Sequence, residues 1–369
     1  MDSELLELRK LHFQVEYSPY CKEKQDMCRR GWELADKLDN YEEQYYFRRE
    51  YITDATFYGD VMEIYVVFPV MLSKHDEYVK KYGRDARVRN VLWTYKWVIE
   101  NAKFFYQISQ KQFVHFFEDF KRRCIENGFS LRTYYQYGYE FYQKIDSEKA
   151  REYYEQFLKQ RRDSLSDCHA CERNEEVDYL LSIHMYDEAM EKAKDLFSRR
   201  LTCTEIPDAT YGKFLKYYNQ EILAGRMEIN EEIQHIVEQL RYSIRTKKLC
   251  FEYIGEMFFI YSISDKAKAL AWFKMYCCEA EVMRNPEYKF YFSVAAMHFF
   301  GQMKNRKSYR IKLSPGFSQY REDGNYSPNA LYGYYQSIAY DVATKMDNRN
   351  ETSFYMDFVK LVESYLQDN

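Results

Sequence analysis

The sequence predicts an all-α protein, an α-solenoid of stacked antiparallel helix hairpins. Three observations carry the prediction. Turn-forming residues are scarce, with 12 Gly and 6 Pro in 369 residues. Long helices with short connections tolerate that, whereas a many-stranded sheet needs turn glycines. Apolar residues recur at helical spacing along most of the chain. Finally, a helix-turn-helix unit repeats at a fixed interval. Tyr134, Gly138, Phe141 and Ala150 form one register, and Phe251, Gly255, Phe258 and Ala267 repeat it 117 residues later (251 − 134), or three times 39. Ala189 stands 39 residues after Ala150 and marks a copy between them. Repeats of this length mean helical hairpins that bury their apolar faces by stacking. One continuous body over 1–369 is expected. It divides into divergent N-terminal helices in 1–129, the clearest repeats in 130–312, and a loop plus capping hairpin in 313–369.

The elements follow in order. Met27, Trp32, Leu34 and Leu38 predict a helix within 20–40. Helices over 41–58 and 60–82 are separated by Gly59, and Pro69 should kink or split the second. Val88, Val91, Leu92, Tyr95, Val98 and Ile99 make an apolar stripe over 86–104. Ser109 with Gln112 has the spacing of a capping box, and Asn127-Gly128 closes that helix. Hairpins follow at 131–145 with 148–160 (Ser147 as N-cap) and at 171–184 with 186–199. The next pair, 208–224 and 230–246, is broken at Gly225. Helices 249–263 and 265–283 meet at Ser264 or Asp265, and Asn285-Pro286 opens 286–305. Residues 313–327, LSPGFSQYREDGNYS, read as one long loop. Ser327-Pro328 opens another helix, and 351–366 is the last. The total is sixteen or seventeen helices and no strand.

The two well-matched hairpins resemble the tetratricopeptide repeat, a helical hairpin that stacks into a superhelix. That family opens its first helix with a bulky aromatic, here Tyr134 and Phe251, and places a small residue one turn on, here Gly138 and Gly255. An aromatic follows, Phe141 and Phe258. Ala150, Ala189 and Ala267 are the small residues of the second helices. Small residues at a crossing let two backbones approach within about 8–10 Å. The interval of 39 exceeds the family's usual one of about 34, Val177 replaces the small residue in the middle copy, and the resemblance covers 130–275.

In the family the first helices of successive hairpins line a concave groove. The resemblance therefore implies that Arg132, Tyr135, Tyr139 and Tyr142 face it, then Asn174 and Asp178, then Glu252, Glu256 and Phe259. Such a groove suits a protein or peptide partner with a basic segment or aromatic anchors. Tyrosine is abundant, at 39 residues, and its apolar ring with a polar tip suits a partly wet groove. Bacterial proteins of this size and architecture include peptide-sensing regulators and toxin-immunity proteins, and the resemblance extends to both roles.

Metal or redox chemistry is the alternative. Cys168, His169 and Cys171 lie before one predicted hairpin, and Cys203 follows it. An antiparallel hairpin returns its end beside its start, so Cys203 should lie near Cys168 and Cys171. Three thiols there could bind structural zinc, with His169, Asp208 or His184 as a fourth ligand. They could also serve a thiol-based enzyme, or simply pack as small apolar residues. Other enzyme motifs are missing. There is no glycine-rich phosphate loop, no His-Glu-x-x-His and no Gly-x-Ser-x-Gly. A net charge of −4 gives no case for general nucleic-acid binding. No apolar run of about 18 residues predicts a membrane span. The first residues lack an apolar signal core, and nine cysteines are an odd number for a disulfide framework. The expectation is a cytoplasmic binding protein with reduced thiols and no cofactor beyond possible zinc.

Overall fold

A computed structural model of the protein describes residues 2–83, 85 and 87–368. Its elements are helical apart from one two-residue strand pair. Contacts divide the chain into two units, one through Lys103 with Lys111–Tyr137 and Phe157–Ser166, the other with Phe104–Gln110, Gly138–Gln156 and everything from Asp167 onward.

The first unit holds α1 (Asp2–Tyr17), α2 (Lys22–Lys37), α3 (Tyr41–Phe57), α4 (Ile64–Tyr82), α5 (Val88–Ala102) and most of α6 (Gln110–Glu126), with the first half of α7 (Arg132–Tyr142). Helix α1, with Leu8, Leu11 and Val15 buried, was not expected from the sequence. Charged residues are interleaved with its apolar ones and blunt the periodic signal. Pro69 does not split α4. A 3₁₀ turn at Val61–Glu63 leads in, and the helix runs unbroken from Ile64. It forgoes the hydrogen bond that proline cannot donate. Burial of Ile64, Val67, Phe68 and Met71 holds it in place.

The second unit completes α7 and holds most of α8 (Ser147–Lys159), then α9 (His169–Ser182), α10 (Tyr186–Phe197), α11 (Asp208–Leu223), α12 (Glu231–Tyr242), α13 (Ile254–Ser264), α14 (Lys266–Val282), α15 (Pro286–Gly301), α16 (Pro328–Asn350) and α17 (Phe354–Asp368). The packing alternates. Helix α9 meets α10 and α11; α11 meets α12 and α13; α13 meets α14 and α15; α15 meets α16 and α17. Helix α15 is buried all round from Phe290 to Gly301 and is the centre of this core.

Capping is local and legible. Asp265 accepts from the amides of Ala267 and Lys268, both at 3.0 Å, and Asn285 from Glu287 at 2.9 Å. At α8 the cap is Asp146, which accepts from the Lys149 amide at 3.0 Å; Ser147, the expected cap, is the first helical residue. A carboxylate is the stronger acceptor for an orphan amide.

Gly255 is where two helices come closest. A Cβ there would stand 2.6 Å from the Phe292 backbone nitrogen and 2.7 Å from the Tyr291 carbonyl carbon. Helix α13 can therefore lie against α15 only without a side chain at 255. The expected loop 313–327 is tied down. Strands β1 (Tyr309–Arg310) and β2 (Asn325–Tyr326) pair antiparallel. Leu313 and Phe317 are buried, and Ser318 donates its amide to Glu281 at 2.9 Å. Strands of two residues carry no alternation that a sequence reading could detect.

Candidate functional site

The second unit brings a set of charges and tyrosines together from successive odd-numbered helices. Helix α9 supplies Glu175 and Asp178, α11 supplies Lys213, Lys216 and Tyr217, the 3₁₀ turn Phe251–Tyr253 supplies Glu252 and Tyr253, and the start of α13 supplies Glu256. Helix α15 supplies Glu287 and Tyr291, and Lys144 joins from the turn after α7. Lys213 lies 2.7 Å from Glu175 and 3.8 Å from Asp178. Lys144 forms an ion pair with Glu287, whose other carboxylate oxygen accepts from the Tyr355 hydroxyl at 3.1 Å. The Lys216 ammonium stands 5.9 Å from the Tyr291 ring centroid.

Tyr217, Glu256, Glu287 and Tyr291 are buried and the other groups half-buried, and their proton affinities reflect it. Burial pushes Lys144 down to about 8, against the pull of Glu287. Burial works in the opposite direction on Glu287, yet Lys144 and Lys216 outweigh it and hold that carboxyl below its ordinary value. Burial also opposes the charge on Lys213, but Asp178 and Glu175 prevail and raise it. Glu252 and Glu256 differ from these paired acids. Burial pushes Glu252 up to about 7 and Glu256 up to about 8, and Lys213 and Lys216 respectively offset this only in part. Among the described residues neither carboxyl has an ion-pair partner.

A small cavity lies beneath, about 10 Å³, lined by Lys216, Asn219, Gly255, Glu256, Phe259, Tyr291 and Phe358. Three of its polar atoms, Asn219 Oδ1, Glu256 Oε2 and the Tyr291 hydroxyl, are buried without a hydrogen-bond partner. Asn219 is held in place by donating Nδ2 to the Glu256 carbonyl at 3.0 Å. The space is about that of one water-sized group.

Of the groove residues read from the sequence, Asp178, Glu252 and Glu256 join this set. The others are placed differently. Arg132 donates to the carbonyls of Phe157 and Gln160 at 3.0 and 2.9 Å and lies 3.9 Å over the Phe157 ring, so it ties local chain together. Tyr135 is half-buried with its ring edge-on to Tyr134. Tyr139 has no exposed surface and packs against Tyr154 and Tyr179. Tyr142 is buried beneath the Lys149 ammonium at 3.9 Å. Asn174 accepts from the Thr210 hydroxyl at 2.7 Å, and Phe259 is buried beside His298. Tyr139, Tyr142, Asn174 and Phe259 are all buried and serve as packing residues.

The sequence reading missed Lys144, Glu175, Lys213, Lys216, Tyr217, Tyr253, Glu287 and Tyr291. A signal for three of them was present. Continuing the interval of 39 from Asn174 reaches Lys213, Glu252 and Tyr291, and from Asp178 it reaches Tyr217 and Glu256.

The cysteine expectation is met in part. The Sγ atoms of Cys168, Cys171 and Cys203 all lie within 4.8 Å of one another. Cys168 caps α9, accepting from the Cys171 amide at 3.3 Å. Burial opposes ionisation of its thiol, but that amide and the neighbouring thiols outweigh it and lower its pKa. His169 and Asp208 stand outside the group. Asp208 is engaged by Ser243 at 2.6 Å and by Lys247. His184, at the far end of α9, faces Glu221 at 3.2 Å.

No family model, no curated protein and no solved structure matches this chain. Among the described residues no helix is long and apolar enough to cross a membrane.

Proposed function

We propose that the protein is a non-enzymatic binding scaffold whose second unit is a tetratricopeptide-like superhelix. Its odd-numbered helices form the inner face, and that face takes a protein or peptide segment carrying a basic side chain. The alternating helix contacts and the interval of 39 support the superhelical reading. The observation that carries the binding reading is the pair Glu252 and Glu256. They are one helical turn apart, without ion-pair partners, and raised towards neutrality by their surroundings. Buried carboxyls in this condition gain most from an incoming cation, which supplies the missing partner. Nearby tyrosine rings suit the aliphatic stem of a lysine or arginine.

The test is selection of a displayed random peptide library on the full-length chain. Enriched peptides should carry Lys or Arg, and should lose at least tenfold in affinity for the double variant Glu252→Gln with Glu256→Gln. Wild-type affinity should rise between about pH 6.5 and about pH 8.5 as the carboxyls ionise. Peptides that bind wild type and variant equally, with no pH dependence, would remove this face from the function.

A further inference from the structure

We propose that Cys168, Cys171 and Cys203 form a three-thiolate zinc(II) site whose fourth coordination position is open to solvent. Tetrahedral zinc with Zn–S bonds of about 2.3 Å requires sulfurs about 3.8 Å apart. Here Cys168 and Cys171 are 3.3 Å apart, and all three sulfurs lie within 4.8 Å of one another. Shifts of a few tenths of an ångström to about 1 Å in the three cysteine side chains reach the zinc spacing.

Backbone structure sets up the cluster. Cys168 and Cys171 are three residues apart across the first turn of α9, and helix geometry puts such positions on one side. The Cys171 amide donates to Cys168 Sγ, the kind of outer hydrogen bond that fixes a metal-bound thiolate. Cys203 arrives from the connection between α10 and α11. Its amide donates to the Ile206 carbonyl at 3.3 Å, and the Thr202 hydroxyl donates to the same oxygen at 2.9 Å. The loop is thus pinned on both sides of the cysteine. Cys168 and Cys203 are exposed and Cys171 is half-buried, so an ion has a path in.

The donor set selects the cation. Three soft sulfurs with no carboxylate among them favour zinc over magnesium or calcium. A Cys168–Cys171 disulfide would need only two of the sulfurs and gives no role to the third. Zinc engages all three, and binding releases the thiol protons to solvent without any redox step. The ion would clip the start of α9 to the end of its hairpin, and α9 carries Glu175 and Asp178.

The test uses the full chain, reduced and freed of metal, titrated with zinc against a chromophoric chelator. One zinc per chain should bind. Native alkylation followed by mass mapping should then show protection at Cys168, Cys171 and Cys203 but not at exposed Cys21. Cobalt(II) in place of zinc should give a thiolate charge-transfer band. Cys203→Ser should weaken zinc by more than the roughly 10–100-fold that loss of an outer partner costs, while Cys21→Ser should not. Because Cys203→Ser could disturb folding, the wild-type mapping stands as an independent readout. No zinc binding, or protection confined to Cys168 and Cys171 and unchanged in Cys203→Ser, overturns the three-thiolate site.

Discussion

Replacing Glu256 with glutamine should stabilise the protein at alkaline pH and leave it nearly unchanged in acid. Glu256 is 4% exposed, and burial raises its carboxyl from the ordinary 4.5 to about 8. The folded chain therefore holds a proton that the unfolded chain has released throughout that window. Stability falls as pH rises from 4.5 and levels off above 8, because the folded state binds more protons there. At 1.36 kcal/mol per unit, the loss reaches about 1 kcal/mol near pH 5 and about 5 kcal/mol near pH 8.5. Glutamine keeps the neutral shape and removes the titration. The variant should gain about 4 kcal/mol more at about pH 8.5 than at about pH 5. For a cooperative unit of this size, that corresponds to a difference of roughly 8–16 °C in Tm. Differential scanning calorimetry of both proteins at the two pH values measures it directly. An equal Tm difference at both pH values, or a larger one in acid, would refute the assignment of a neutral, ligand-seeking carboxyl to this position.

Gly255→Ala should cost about 1–3 kcal/mol by denaturant unfolding, because its Cβ would meet the α15 backbone at 2.6 Å. Gly333→Ala, inside α16 with open space around it, should instead stabilise by up to about 1 kcal/mol. Equal effects would remove the close crossing as the reason for glycine at 255. Lys144→Met should destabilise by about 3–5 kcal/mol, since it strands the Glu287 carboxylate, whose side chain is 6% exposed. Adding Glu287→Gln should recover much of that loss, and a double variant no better than the single would count against the ion pair.

The helices were legible because their punctuation is local. Asn285-Pro286, Asp265 and Ser327 each satisfy the first turn of the helix that follows, so the cap lies next to what it starts. The small residue at 255 was legible because a steric demand stamps it: its absent side chain admits the α15 backbone. The signal faded where the demand is missing. The equivalent positions one and two intervals before Gly255 are Lys216 and Val177. Neither is small, so α11 did not announce its register, and its lysines were passed over although they face the acids already identified. The thiol cluster was legible for a topological reason. An antiparallel hairpin must bring residue 203 back beside residue 168, whatever its side chains. The fourth ligand was not legible: His169 stands outside the group, His184 faces Glu221, and Asp208 is taken by Ser243 and Lys247, more than thirty residues further on.

Glu287 shows most plainly what sequence periodicity leaves out. In sequence it is an ordinary first-turn acid behind an Asn-Pro cap, a place where a carboxylate suits the helix dipole and faces water. In the fold it is enclosed, bound to Lys144 from 143 residues away and to Tyr355 from a distance of 68. The same residue satisfies a local rule and a tertiary one, and only the local rule leaves a trace in the sequence. Glu252 and Glu256 are the reverse case. A helix start exposes amides that favour acids, yet Glu256 is buried and Glu252 half-buried, neither has an ion-pair partner among the described residues, and their proton affinity rises. Paired Glu287 is held ionised while unpaired Glu256 is pushed towards neutrality. That contrast within one cluster is what the proposed role of Glu252 and Glu256 in taking a basic side chain rests on.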